Sequence, residues 1–406
     1  MLGTLYKLSV RTTKLVLPLV GKFHPKIKAF VNGRKLLWQQ LRQLDPNKKT
    51  IWMHAASLGE YEQGLPVLEG LKLRYPDRQF VVSFFSPSGY EVRRNHNVAD
   101  LCVYLPWDTF GDVTRFFDIL RPEMALLVKY ELWPNMLKSL DTRNIPTYLI
   151  SGRFYKKQFL FHKRGAFLRE SLKAFTHFFV QDNKSKELMA SVGFTNVEVT
   201  GDTRFDRLSN SSTPLDFMEA FAKDRFCVVA GSIWPKDFEL IKHAIENSDE
   251  RVCWVLAPHE LRSAFINQIS GSLSGKVQRY SQLQIEELPK TRVLILDTIG
   301  LLNASYASAE MAYVGGGMGN SGLHNVLEPA AAGIPIVIGK NYQKFEEAKE
   351  MIRLGGMISV QNSKSFTEVL YRIAKDSKHR MDMGKINHGF VRTQKGTTLK
   401  IIGFFK

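Results

Sequence analysis

Two stretches of this chain alternate strand-length apolar runs with helix-length segments, and that alternation narrows the fold more than any other feature. From Thr50 the runs are IWMHAA, QFVVSFF, LCVYLP, MALLVKY, PTYLIS, HFFVQD and VEVTGD. A polar stretch at 207–217, RLSNSSTPLDF, interrupts them and reads as a linker. A second series follows: FCVVAGS, RVCWVLAP, RVLILDT, MAYVGGG, IPIVIG and MISV. Apolar runs without polar alternation suit strands buried on both faces, and helix-length spacers make parallel βαβ units. The spacing therefore predicts an α/β protein of two doubly wound, Rossmann-like domains facing a cleft, with ligands at the carboxyl ends of the strands. The expected divisions are a segment over 1–48, a domain over 49–206, and a second over 207–406 that includes C-terminal helices.

Composition removes several classes. A hydrophobic content of 44% with 11% aromatics excludes general disorder. Cys102, Cys227 and Cys253 all fall in strand-like runs, and an odd number without a C-x-x-C pair argues against a disulfide scaffold or zinc site. The net charge of +17 is unevenly placed. Residues 1–50 carry eleven Lys and Arg against the single acid Asp45, interleaved with the apolar LVLPLVGKF. No window there has the roughly 18 apolar residues of a spanning helix, and no small-residue cleavage site follows. The segment is either a solvated basic face, a weak anchor, or an amphipathic helix lying on an anionic membrane. A second basic cluster, 151–175, holds seven Lys and Arg against Glu170, with aromatics between them. It suits a solvated helix face, a phosphorylated amphiphile or nucleic acid, although no nucleic-acid-binding signature accompanies it.

The polar residues collect just after the strands. HAASLGE ends in Glu60, which the pattern places in the first turn of a helix, where free backbone N–H groups and the helix dipole hold a carboxylate. Glu60 is then either a helix-start acid or a general base acting on an acceptor hydroxyl. Residues 315–329, GGGMGNSGLHNVLEP, place five glycines before His324, Asn325 and Glu328. That pattern is either a tight strand-to-helix turn or a nucleotide cradle, with Asn325 and Glu328 on one helix face toward ribose and phosphate. Ser232 offers a hydroxyl and an N–H at another strand end, and His324 is ligand-facing or a core histidine. A dehydrogenase would need G-x-G-x-x-G after its first strand, and the Walker loop is absent. No His/Asp/Glu cluster has metal-ligand spacing, so protein cations and helix dipoles are expected to serve in place of a metal or cofactor.

HAASLGE, ELWPN, SGRF, VTGDTRFD, GSIWPKD, DTIG and GLHNVLEPAAAGIPIVIG occur in that order. Together they resemble the 3-deoxy-D-manno-octulosonic acid (Kdo) transferases of Gram-negative bacteria, over roughly the whole chain. The resemblance implies a GT-B glycosyltransferase that moves Kdo from CMP-Kdo to a lipid A precursor, lipid IVA, at the cytoplasmic face of the inner membrane. It implies Glu60 as catalytic base, and position 129 (here Lys129) and Arg204 as the sites that stabilise charge in the transition state. Pro258, His259, Ile299, Gly300, Leu301, Asn325, Val326, Leu327 and Glu328 become CMP-contacting residues, and the glycines bring a helix start against the phosphate. The chain departs from the usual pattern in four places. Lys129-Tyr130-Glu131 stands for Glu-Thr-Glu, Arg204 for Lys, His259 for Arg, and GSIWPKD for a Ser-Thr-His run. Two rivals come from other classes: a GT-B enzyme acting on a UDP-sugar, as transferase or epimerase, and a basic nucleic-acid-binding protein.

Overall fold

The structure, a computed structural model, describes residues 2–94, 98–208 and 215–405. It forms two compact units, one of residues 1–207 with 396–406 and one of 208–395. Residues 209–214 of the expected linker lie outside the described residues; they are flanked by a 3-10 turn, Thr203–Arg207, and a helix, Asp216–Ala222.

In the first unit the strands are β1 (Thr50–Ala55), β2 (Gln79–Phe84), β3 (Leu101–Tyr104), β4 (Pro122–Val128), β5 (Thr147–Gly152), β6 (His177–Val180) and β7 (Val197–Val199). All pairings are parallel, in the order β3-β2-β1-β4-β5-β6-β7. Successive residues feed opposite faces. Trp52, Val81 and Leu127 enter one core, while Ile51, Met53, Phe80 and Val82 enter the other. Both faces are apolar, which is why these runs carry no polar alternation.

The second unit repeats the plan with β8 (Phe226–Ile233), β9 (Val252–Pro258), β10 (Val277–Arg279), β11 (Val293–Ile295), β12 (Met311–Val314), β13 (Ile336–Ile338) and β14 (Met357–Ser359). Its order is β10-β11-β9-β8-β12-β13-β14, again parallel. Cys102 lies on β3, Cys227 on β8 and Cys253 on β9; all three are buried and free.

One boundary is corrected. Residues 396–406, expected with the second domain, belong to the first unit. The Gly396 and Thr398 N–H groups each donate to the Asp206 carboxylate at 2.6 Å, and Thr397 Oγ1 donates to the Thr200 carbonyl at 2.9 Å. Ile401 and Phe405 then complete the β1–β2 face of the core. The segment's apolar residues would suit either half, and only this polar anchoring selects one.

The basic N-terminal segment is two helices, α1 (Leu2–Val20) and α2 (Pro25–Leu41), within the first unit. Leu37 and Leu41 of α2 enter the core. Arg34, counted above among the basic residues of the segment, is buried between the rings of Phe30, Phe85 and Trp107 and donates to the carbonyls of Phe30 and Phe85. Burial pulls its guanidinium down to about 9. By contrast α1 keeps Leu5, Leu8, Leu15, Val16 and Leu19 exposed. It is tied down by Tyr6 Oη donating to Asp108 at 2.7 Å and by a Lys14–Asp112 ion pair. Among the described residues no helix is long and apolar enough to cross a membrane.

Candidate active site

At the end of β1 the chain turns into α3 (Leu58–Arg74), with Ser57 as its N-cap. Glu60 occupies the first turn and is 7% exposed. Its Oε2 accepts from the Ala56 N–H at 2.6 Å, which fixes the carboxyl at the carboxyl edge of the sheet. Burial pushes this carboxyl up and nearby Glu131 adds to the rise; the Ala56 hydrogen bond, Lys129 and His54 oppose it.

Lys129 follows β4 directly, in the left-handed backbone region at φ 63°. A side chain there carries strain that the surrounding structure must hold, a feature that clusters at functional sites. Burial pulls its amine down, Glu60 and Asp202 work the other way, and Arg204 and Arg153 add to the fall. Arg204 lies in the 3-10 turn after β7, where its Nε donates to Asp202 Oδ2 at 2.9 Å. Burial pushes the Asp202 carboxyl up, but the Arg204 charge, its hydrogen bonds and Gln63 leave it below the usual carboxylate range. The first unit thus brings Glu60, Lys129 and Arg204 into one electrostatic neighbourhood from three strand ends.

In the second unit Ser232, at φ 54°, ends β8 beside Ile233, and Pro258 ends β9. The His259 N–H donates to the Ile233 carbonyl at 3.0 Å. Ile299 is 87% exposed, Gly300 turns at φ 102°, and Leu301 opens a short helix. Asn325 does not share a helix face with Glu328: the helix begins only at Leu327, after Val326. Asn325 instead makes a side-chain turn, its Oδ1 accepting from the Leu327 N–H at 3.1 Å while its Nδ2 donates to Glu328 Oε1 at 3.0 Å. An Asn that satisfies a backbone N–H two residues on favours a turn over a helix. Burial pushes the Glu328 carboxyl up, and the Asn325 bond offsets part of that. Val326 and Leu327 are core side chains and have only backbone to offer a ligand.

The glycines are required by close approach within the protein itself. A Cβ on Gly315 would fall 2.3 Å from the Ser232 carbonyl oxygen, and one on Gly317 2.9 Å from the Gly339 nitrogen. Gly316 turns at φ 90° with its N–H bonded to Asp237. The loop is therefore packed backbone to backbone against the ends of β8 and β13.

Three sets of contacts went unread in the sequence. Asp237, buried at the start of the helix Pro235–Asn247, ties the glycine loop to that helix. Trp234 Nε1 donates to His324 Nε2 at 2.8 Å, and the His259 ring stacks on both rings. Burial and the His259 neighbour pull His324 down to about 4, which keeps it the neutral acceptor of that bond. The third is the His54–Glu131 pair behind Glu60. An acid three residues into a helix that starts Trp-Pro was a usable signal for Asp237; the ring contacts left none.

Comparisons with known proteins agree with this fold. The family described as 3-deoxy-D-manno-octulosonic-acid transferase (kdotransferase) matches residues 33–207. The 3-deoxy-D-manno-octulosonic acid transferase of Haemophilus influenzae is 26% identical over 377 residues, 89% of this chain and 87% of its own. Among solved structures, the UDP-GlcNAc 2-epimerase of Neisseria meningitidis bound to UDP-GlcNAc aligns at TM-score 0.57 and 13% identity, covering 86% of this chain and 100% of its own. MurG of Acinetobacter baumannii aligns at 0.56 and 11%, covering 88% and 99%. At such identities the two structures speak for the fold alone. With its two Rossmann-like sheets, its ordered motifs and relatives that span most of its length, this chain has a GT-B fold and is similar along most of its length to the Kdo transferases.

Proposed function

We propose that the chain is an inverting glycosyltransferase that moves Kdo from CMP-Kdo to a hydroxyl of the phosphorylated lipid A precursor lipid IVA. The observation that carries this reading is the Glu60 carboxyl, buried, fixed by one backbone N–H, and pushed above the usual carboxylate value by that burial. In this reading the free Glu60 oxygen takes the proton of the attacking hydroxyl. The donor's anomeric carbon bears a carboxylate and leaves from a phosphate, so negative charge accumulates as the bond breaks. Lys129 and Arg204 would offset it electrostatically. Asn325 and Glu328 would hold the ribose hydroxyls, while Ser232, Pro258–His259 and Ile299–Leu301 line the nucleotide. No bound metal or cofactor enters the proposed reaction. A mass increase of lipid IVA by Kdo units, with a CMP-Kdo source and excess chelator, is the expected result. An unmodified acceptor, together with thermal stabilisation by UDP but not CMP, would overturn it.

Two further outcomes follow from the same reading. Glu328→Ala should weaken CMP binding by roughly 1–3 kcal/mol, the loss of a hydrogen-bonded charged partner; unchanged affinity by calorimetry returns Glu328 to a merely structural role. The second concerns the membrane. The exposed leucines of α1, beside Lys7 and Arg11, and the exposed Lys156, Lys157, Lys163 and Arg164 suit an anionic, phosphorylated lipid surface at the cytoplasmic face of the inner membrane. Deleting residues 1–30 should release the protein from anionic vesicles, and high salt should mimic that release in part. Wild-type protein that resists salt but yields to detergent points to a hydrophobic anchor instead.

A further inference from the structure

His54 is fully buried on β1, one residue before its end. Its Nδ1 lies 2.9 Å from both the carbonyl oxygen and Oγ of Ser83, and its Nε2 lies 3.3 Å from Glu131 Oε2. That carboxylate oxygen also accepts from Trp133 Nε1–H at 2.9 Å, and Ser83 Oγ accepts from Trp52 Nε1–H at 2.9 Å. One indole N–H thus holds Glu131, and another holds the Ser83 hydroxyl that faces His54.

Proton counting narrows the charge state. A carbonyl oxygen only accepts, so the Nδ1 contact calls for an N–H there. A neutral ring of that tautomer would turn its Nε2 lone pair toward a carboxylate oxygen, two acceptors facing each other in a dry site. One proton on the line between Nε2 and Oε2 satisfies both. If the Ser83 hydroxyl donated to Nδ1 instead, the Ser83 carbonyl would face a ring lone pair at the same 2.9 Å.

The location gives the proton a consequence. The charged and titratable groups that act on Glu60 are Glu131, Lys129, His54 and Tyr130, the last sensing both carboxylates. A bare Glu131 carboxylate beside Glu60 would favour a protonated, inactive base. We propose that His54 and Glu131 form one buried, net-neutral pair holding a shared proton, a positioning pair that orients Glu131 and spares Glu60 a second negative charge. The role at Glu60 rests on Glu60 being the base; the shared proton does not.

The test has two arms on the full-length protein. In the first, ring ¹⁵N-labelled histidine is followed by NMR, with His54 assigned through Glu131→Gln and His54→Gln. Protons on both His54 ring nitrogens are expected under the conditions of the transfer assay, whereas an unprotonated Nε2 there overturns the proposal. In the second, the acid limb of the transfer rate is compared among variants. Glu131→Gln, which removes a charge already neutralised, should leave the limb in place while lowering kcat. His54→Gln strands a carboxylate beside Glu60 and should move the limb up by about half to one pH unit. A downward shift in Glu131→Gln means that Glu131 was an uncompensated charge, and this single variant decides the point if His54→Gln does not fold. Retained activity in Glu60→Gln would overturn the base itself, a failure that leaves the NMR arm intact.

Discussion

Glu60→Gln is expected to cut transfer by ~10²–10⁴-fold, the span that loss of a general base produces. The substitution is conservative in structure. A glutamine carbonyl accepts the Ala56 N–H as the carboxylate does, so the start of α3 keeps its geometry. What disappears is the ability to take a proton. Affinity for CMP should stay at the wild-type value, because every residue proposed to hold the nucleotide belongs to the other unit. Single-turnover rates and calorimetry separate the two quantities. Activity within a few-fold of wild type would sink the assignment.

The pH dependence carries the same signature with a definite sign. A base works only when ionised, and burial lifts this carboxyl above the ordinary glutamate value of about 4.3. The rate should therefore begin to fall at a pH above the ordinary carboxylate range as the medium is acidified. Stability runs the other way. A group whose folded pKa exceeds its unfolded one contributes stability fully present below the unfolded value and lost as pH rises through the folded one. At neutral pH the ionised Glu60 is thus a liability to the fold. Glu60→Gln should melt at a higher temperature than wild type at pH 8, and the gain should shrink toward pH 4. A variant both slower and more stable would show an active-site carboxylate maintained at the expense of stability.

How much of this was legible in the sequence follows from the range of the forces involved. Strands buried on both faces announce themselves locally, since most of their residues must be apolar, and runs such as QFVVSF and VCWVLAP needed no tertiary information. β10 escaped because Val277–Arg279 is a half-buried edge strand that, among the described residues, pairs with β11 alone. The C-terminal helix was assigned to the wrong unit because its anchor, Asp206, lies about 190 residues away. Glu60 was legible for a local reason: Ser57 and the first turn of α3 fix it within four residues. Asn325 was misplaced because spacing of three fits a helix face and a side-chain turn equally well until the hydrogen bond to Leu327 is seen. The glycines signalled close approach correctly, but sequence does not say what approaches, and here it is the backbone of Ser232 and Gly339.

The second large effect is expected at Asp237, whose carboxylate sits with no exposed surface at the junction of three elements. Oδ1 accepts from Tyr313 Oη–H at 2.8 Å, on the strand that leads into the glycine loop. Oδ2 accepts from the Gly316 N–H at 2.8 Å and from the Trp234 N–H at 3.0 Å. Asp237→Ala leaves all three donors without their partner, two of them buried, and an unsatisfied buried donor costs ~1–3 kcal/mol each. The three share one site and do not add fully, so a loss of about 3 kcal/mol or more is expected in denaturant unfolding of the second unit. Asp237→Asn should recover much of it, since one amide oxygen can accept both backbone N–H groups while the amide N–H₂ donates to the tyrosine oxygen. The glycine loop continues to Asn325 and Glu328, so the alanine variant should also bind CMP more weakly, and the asparagine variant much less so. An alanine variant within about 1 kcal/mol of wild type, with CMP affinity unchanged, would mean that the loop is held by its glycine packing against Ser232 and Gly339 alone.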